Sequence, residues 1–457
     1  MDRNPIRNER IYNKVMKSDI NVKVVKFGGS SLADAKQFEK VAAIIKSDKS
    51  RKFVIPSAPG KRFREDEKVT DLLYECYELA AANKDFTACF NKIKGRYDLI
   101  ISGLSLDISL NREYDVIEKS LRTSPNRDYT ASRGEYLNGI ILSKYLGFAF
   151  VDAADVIHFG EDGQYDVEKT DKAVRSRLLE FEYAVVPGFY GRDADGSIKT
   201  FSRGGSDITG SIVSRAVDAD LYENWTDVSG FLMADPRIVE NPTVIETVTY
   251  SELRELSYMG ATVLHEEAVF PVRIAGIPIN IRNTNRPEDS GTMIVLRTPI
   301  EKMCEGITGI AGHKGFSVIN IEKDMMNSQV GFALKVLAVL AKYNVSFEHI
   351  PSGIDTIGIV VSSSALNSHR HEIVDEIRNV VNPDNLYIED GLALVAVVGQ
   401  GMVRNIGTAS RIISAVARAD VNIRMMDQGT RENNIILSVE EADFEKTVRV
   451  IYDEFSG

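Results

Sequence analysis

Apolar residues first gather at Val22–Phe27, a β-rich run that stops abruptly at Gly28-Gly29-Ser30-Ser31. Phe38, Val41, Ala42 and Ile45 follow at helical spacing, so the pattern predicts a strand, a glycine turn and an amphipathic helix. The alternation continues with a strand at Phe53–Ile55, a helix at Val69–Ala82, and strands at Ala149–Val151 and Ala184–Val186. Strands alternating with helices predict an open α/β sheet. The polar helical stretch from Phe86 to about Leu121 reads as an insertion in that pattern and not as a separate core.

Past Arg297 the texture changes. Val318–Ile321, Val345–Ile350 and Ile357–Val361 read as strands, with helices at Gly331–Tyr343 and His369–Val380. The same grammar then returns: Gly331 matches Gly407, Val345 matches Val421 and Ile350 matches Met426, each pair 76 positions apart. Val336 with Ile412 and Leu340 with Val416 keep the helices in phase, which predicts two copies of a small βαββαβ unit.

Composition narrows the class without changing this picture. A chain of 457 residues calls for two or three domains, and 44% hydrophobic with 26% charged residues is a globular balance. A net charge of −11 leaves no basic surplus for nucleic acid. Cys76, Cys89 and Cys304 have neither metal nor disulfide spacing, so a reducing, cytoplasmic setting is expected. No apolar run reaches the roughly 20 residues that span a bilayer. Residues 1–21 carry five cations but no apolar centre, and read as an N-terminal extension.

Chemistry collects at the glycine pairs. Lys26 stands at a strand end before Gly28-Gly29-Ser30, where backbone amides and a helix start favour phosphate. The lysine precedes the glycines, so this is no P-loop, and a Gly-Gly turn between strand and helix is more often purely structural. Ser202-Arg203-Gly204-Gly205-Ser206-Asp207 repeats the design, with Arg203 offering a planar fork for a carboxylate. Ser132-Arg133-Gly134-Glu135 reads as the opening of a helix toward Leu146, where Glu135 complements the dipole or holds an ammonium. Asn224-Trp225-Thr226-Asp227-Val228-Ser229-Gly230 follows a strand and runs on to Asp235-Pro236-Arg237, as a nucleotide loop or a capped turn would.

Taken in order, these four segments, with Gly260-Ala261-Thr262-Val263-Leu264-His265 and Ile277-Pro278-Ile279, resemble the aspartokinases of the amino-acid kinase family. The repeated tail resembles that family's paired ACT domains. The resemblance covers nearly all the chain from Val22 onward. It implies an N-terminal extension (1–21), a catalytic domain (22–300) built on an open α/β sheet with helices on both faces, and two ferredoxin-like ACT units (301–385 and 386–457). It further implies transfer of a phosphoryl group from ATP, with Mg²⁺, to the side chain of L-aspartate. Lys26, Gly28, Gly29 and Ser30 would meet the ATP phosphates. Thr226, Asp227, Asp235 and Arg237 would line the nucleotide side. Arg203 would clamp the α-carboxylate of aspartate and Glu135 its ammonium, with Ser206 and Thr70 completing the pocket. Asp207 would organise either Lys26 or Mg²⁺. No metal-binding side-chain set is expected.

Many relatives carry lysine where Thr262 stands and proline where Glu266 stands, so one cation of the family pattern is absent here. His265 is expected to be packed at a helix end. The effector of the tail is expected to be lysine, with threonine as a second candidate. Its site would be formed by Met326, Asn327, Ser328 and Gln329 against Phe347, Glu348, Ser352 and Asp355, and the ACT units would join the chain into a dimer or tetramer. Two other readings compete: a family member acting on another carboxylate, carbamate or nucleotide, and a non-catalytic amino-acid-binding regulator. No fused homoserine dehydrogenase is expected.

Overall fold

A computed structural model describes residues 21–202, 204–260, 264, 266–297, 306–429, 431 and 433–456. The extension through residue 20, Arg203, Thr262 and His265 lie outside the described residues. Two compact units emerge. The first runs to Phe231 and includes Val244–Tyr250 and the residues of 264–297; the second comprises Leu232–Thr243, residues 251–260 and the chain from 306.

The first unit is built on ten strands: β1 (Lys23–Phe27), β2 (Arg51–Pro56), β3 (Ala149–Phe150), β4 (Ala184–Val185), β5 (Tyr190–Arg192), β6 (Ile198–Thr200), β7 (Leu221–Thr226), β8 (Thr247–Thr249), β9 (Ile279–Asn283) and β10 (Thr292–Val295). Eight of them form one sheet in the order β3-β4-β2-β1-β7-β9-β10-β8, and β5–β6 form a ribbon. Every pairing in the large sheet is parallel except β9–β10. Four of the five residues of β1 are buried, as a strand covered on both faces requires. Its neighbours β2 and β7 extend the sheet to opposite sides, so the carboxyl ends of β1, β2 and β7 border the crevice where such sheets bind ligands.

The segment predicted as an insertion forms two helices, Thr87–Gly103 and Asn111–Thr123. Phe90, Ile93, Tyr97, Ile117 and Leu121 enter the same core as Val25, Phe27 and Phe38, so no second core arises. One expectation is corrected. The helix carrying Glu135 begins at Arg127, where Asn126 accepts the Tyr129 amide at 2.8 Å, and runs to Leu146. Glu135 therefore lies inside the helix, out of reach of the dipole at its start, because the capping signal is Asn126 and not Ser132.

The second unit holds one antiparallel sheet, ordered β12-β13-β11-β14-β16-β15. Its strands are β11 (Gly309–Glu322), β12 (Phe347–His349), β13 (Thr356–Ser362), β14 (Asn385–Val398), β15 (Met425–Gln428) and β16 (Asn434–Glu440). The 76-residue repeat is carried into three dimensions: helix Phe332–Lys342 recurs as Thr408–Arg418, and each starts after a glycine at positive φ, Gly331 and Gly407. The strand read at Val318–Ile321 is the end of a much longer one, whose first half, with Gly309, Gly312 and Gly315, lacks a strand-like pattern.

That length has a packing reason. Ile319 and Ile321 of β11 join Phe332, Val336, Ile359 and Ile373 in one core. Ile310, on the same strand, joins Val395, Val397, Ile412, Leu437 and Val448 in another. β14 is divided in the same way, with Leu386 and Ile388 packed against the first core and Val395 and Val397 in the second. Each copy thus completes its sheet with half of the other's long strand. Among the described residues no helix is long and apolar enough to cross a membrane.

Candidate active site

The carboxyl end of β1 brings Lys26 into the crevice and the chain then turns through the short 3₁₀ helix Gly29–Leu32. Lys26 is almost wholly buried, and its ammonium pairs with Asp207 Oδ1 at 2.6 Å. Asp207 comes from the first turn of helix Gly205–Ala216. Of the two roles open to Asp207, ordering Lys26 or holding a metal, this contact supports the first. Asn224 closes the group, donating from Nδ2 to Asp207 Oδ1 at 2.8 Å.

The glycine turn is fixed by close backbone contact. The Gly28 amide donates to the Trp225 carbonyl at 3.0 Å, so it is not open to a phosphate. The Gly29 and Ser30 amides have no protein acceptor among the described residues. Gly60 donates to the Gly29 carbonyl at 2.8 Å, and a Cβ on Gly60 would stand 2.6 Å from Gly29 C. Only glycine permits that approach, so the loop after β2 is fused to the glycine turn. Sequence reading missed this loop, although Ser57-Ala58-Pro59-Gly60 carries the turn residues that signal one. Arg96 secures it from below, donating to Ala33 O at 3.0 Å, Glu67 O at 3.1 Å and Asp66 at 2.5 Å. Hydrogen bonds from Arg62, together with Arg96, hold the Asp66 carboxyl well below the usual carboxylate range.

Glu135 faces the same loop. It is 5% exposed, and its Oε2 has no hydrogen-bond partner among the described residues. Burial pushes its carboxyl up to about 8, against the opposing pull of the Ala58 amide and Arg133. Gly134 lets the helix approach, since a Cβ there would meet the Ala58 methyl at 2.8 Å. A buried carboxyl with an oxygen unmet among the described residues is suited to a cationic partner.

The remaining expected residues divide. Ser206 is buried beside Gly188, where a Cβ would stand 2.6 Å from the serine hydroxyl. Phe189 beside it holds φ 81°, a strained conformation for a bulky side chain. Thr70 lies in the first turn of helix Val69–Ala81, half-buried. Thr226 and Asp227 end β7, hydrogen-bonded to each other at 3.2 Å. Asp235 and Arg237 fold with the second unit and pair with one another at 2.5 Å. Beneath the site Glu223 is fully buried between Arg51 (2.8 Å), Lys23 (3.1 Å) and the Trp225 indole (2.8 Å). Burial raises this carboxyl, but Arg51 and Lys23 more than offset it and leave it lowered. Among the described residues no three carboxylate, imidazole or thiol groups converge as a metal site.

In the second unit the expected effector residues are brought only partly together. Asp355 accepts the Met325 amide at 2.9 Å, tying residues 325–329 to the 354–355 turn. Asn327, Ser328 and Gln329 are exposed, whereas Met326 is buried in the first core. Glu348 accepts a hydrogen bond from Tyr258, and Phe347 is exposed. Ser352 instead lines a cavity of about 230 Å³ with Asn320, Glu322, Thr356 and Tyr387.

The family model described as the amino acid kinase family matches residues 21–283, and one described as the ACT domain matches 395–455. Aspartokinase 3 of Bacillus subtilis (strain 168) is 38% identical, over 95% of this chain and 98% of its own. The crystal structure of Clostridium acetobutylicum aspartate kinase, described as an allosteric enzyme, is 52% identical over 95% of this chain and all of its own, with a TM-score of 0.88. E. coli aspartokinase III in complex with aspartate and ADP shares the fold at 22% identity, covering 95% of this chain and all of its own, TM-score 0.69. The chain belongs to the amino acid kinase family and, within it, to the aspartokinases.

Proposed function

We propose that this chain transfers the γ-phosphoryl group of ATP to the side-chain carboxylate of L-aspartate, forming 4-phospho-L-aspartate, the first step toward lysine, threonine and methionine. The observation that carries the reading is the pairing of two buried groups around the Gly29–Gly60 contact. Lys26 is held as a fixed cation by Asp207, and Glu135 has an oxygen with no partner among the described residues. The first suits a phosphoryl group and the second the ammonium of an amino acid.

The chemistry follows from charge. A β-carboxylate with an ordinary pKa of about 3.9 is ionised at neutral pH and needs no general base. One of its oxygens bonds to the γ-phosphorus as the bond to the bridging oxygen of ADP breaks, and no proton moves. The obstacle is the approach of one anion to another. Lys26 and the Gly29 and Ser30 amides stabilise the charge on the phosphoryl oxygens, and positioning supplies the rest. Mg²⁺ arrives as part of the nucleotide substrate and neutralises its phosphates. Arg203 holds the α-carboxylate of aspartate, Glu135 its ammonium, and Ser206 and Thr70 close the pocket; Thr226 and Asp227 border the nucleotide.

The tail forms the regulatory part, with residues 301–385 and 386–457 as ACT units that bind lysine, or threonine, and join copies of the chain in a cytoplasmic homo-oligomer. Acidic Glu348 and Asp355 suit an amino-acid ammonium. A panel of aspartate, glutamate, acetylglutamate and carbamate, assayed with MgATP, tests the substrate; turnover of any of these in preference to aspartate removes the reading.

A further inference from the structure

We propose that Asn224 is a positioning residue for phosphoryl transfer, acting through Lys26. The inference rests on the reading of Lys26 as the cation at the transferred group. Asn224 lies directly across from Lys26 in the β1–β7 register and is 3% exposed. Its amide faces two charged partners of opposite kind. Nδ2 donates to Asp207 Oδ1 at 2.8 Å, and Oδ1 accepts from Lys26 Nζ at 3.4 Å.

Only one orientation of that amide serves. A carboxylate can only accept and an ammonium can only donate, so the reverse orientation would set like against like on both sides. Asn224 therefore reads the charges of Lys26 and Asp207 and holds them in one arrangement. The consequence is directional. The ammonium has three N–H bonds; Asp207 takes one at 2.6 Å and Asn224 a second, leaving one for a ligand. Nζ stands 3.7 Å from the point where a Cβ on Gly28 would be, at the mouth of the glycine turn. The remaining N–H is thus kept for the phosphoryl oxygen, with its orientation set before substrate binds.

Three substitutions separate this role from plain packing. Asn224→Leu keeps the volume and removes both bonds. Its kcat should fall about 10- to 100-fold, the size of a lost hydrogen bond to a charged group, with KM for aspartate and MgATP within about threefold. Asn224→Asp sets a second carboxylate against Asp207 and should be impaired at pH 8. It should recover toward wild type as pH falls, because a protonated Asp at 224 again offers one donor and one acceptor. The charged or titratable groups around it are Lys26 on β1, Asp207 on helix Gly205–Ala216, and Tyr222, whose hydroxyl meets the Asp207 carbonyl at 3.3 Å. Asn224→Gln, with the same groups one methylene farther out, should fall between. Wild-type kcat in Asn224→Leu overturns the proposal, as does a loss in Asn224→Asp that acid does not relieve. If Asn224→Leu does not fold, Asn224→Asp decides alone. Wild-type protein without aspartate-dependent turnover would instead sink the substrate reading.

Discussion

At the scale of single residues, two buried charges decide what the site can do, and they carry opposite costs. Lys26 is compensated by Asp207, so its charge is available without rearrangement. Lys26→Ala should abolish turnover, by at least about 100-fold in kcat, while urea titration still shows a cooperative fold. For Glu135 burial outweighs what the Ala58 amide and Arg133 offset. Its folded-state pKa, about 8, stands above the ordinary carboxylate value. The stability it contributes is full at pH below that ordinary value and is lost as pH rises through about 8. Ligand-free protein should therefore lose melting temperature between about pH 5 and 8, and Glu135→Gln should flatten that slope. Aspartate binding has the opposite sign, because the ammonium needs the ionised carboxylate. KM for aspartate should fall as pH rises toward 8 in the wild type and stay high and flat in Glu135→Gln. A parallel pH profile in the two proteins would remove Glu135 from the ammonium site.

At the scale of elements, the glycine turn after β1 holds its shape because separate segments are locked against it. Gly60→Ala forces a Cβ against Gly29 C and Ser30 N at 2.6 and 2.7 Å. It should cost about 1–3 kcal/mol of stability and a larger share of activity, read by denaturation and by kcat on the same preparation. Under the sheet, Arg51→Met leaves the buried Glu223 charge with only Lys23 and the Trp225 indole, and unfolding free energy should drop by about 3–5 kcal/mol. The strand–turn–helix at Lys26–Leu32 was legible because apolar run, glycines and helical spacing coincide within a few residues. The β2 loop was not. Its role depends on Gly60 meeting Gly29 across 31 positions, a pairing that no local pattern records. Asn224 stands in a legible segment, but its meaning lies in the β1–β7 register, which no local pattern records. The interior place of Glu135 was not legible, because it depends on the Asn126 cap and on Gly134 packing against Ala58, far away in sequence.

At the scale of the whole molecule, the 76-residue period foretold two matched modules, and the structure adds that each is finished by the other's long strand. Each copy's own three strands are only half of the six-stranded sheet and are joined through the β11–β14 pairing, with each long strand shared between both cores, so the tail should unfold as one step. Removing residues from 391 onward should expose the first half of β11 and abolish cooperative melting of the tail, where two independent modules would leave the first intact. Millimolar lysine, with threonine added separately, should lower the rate or the apparent affinity for aspartate, and no change with either would remove the sensing role.

The most direct test of the central claim is hydroxamate formation from the acyl phosphate product, with MgATP and L-aspartate, in wild type and Lys26→Ala side by side. The arrangement of Lys26, Asp207 and Glu135 predicts product that requires both aspartate and ATP in the wild type and a rate at least about 100-fold lower in the variant. Product formed at the wild-type rate by a folded Lys26→Ala protein would contradict it.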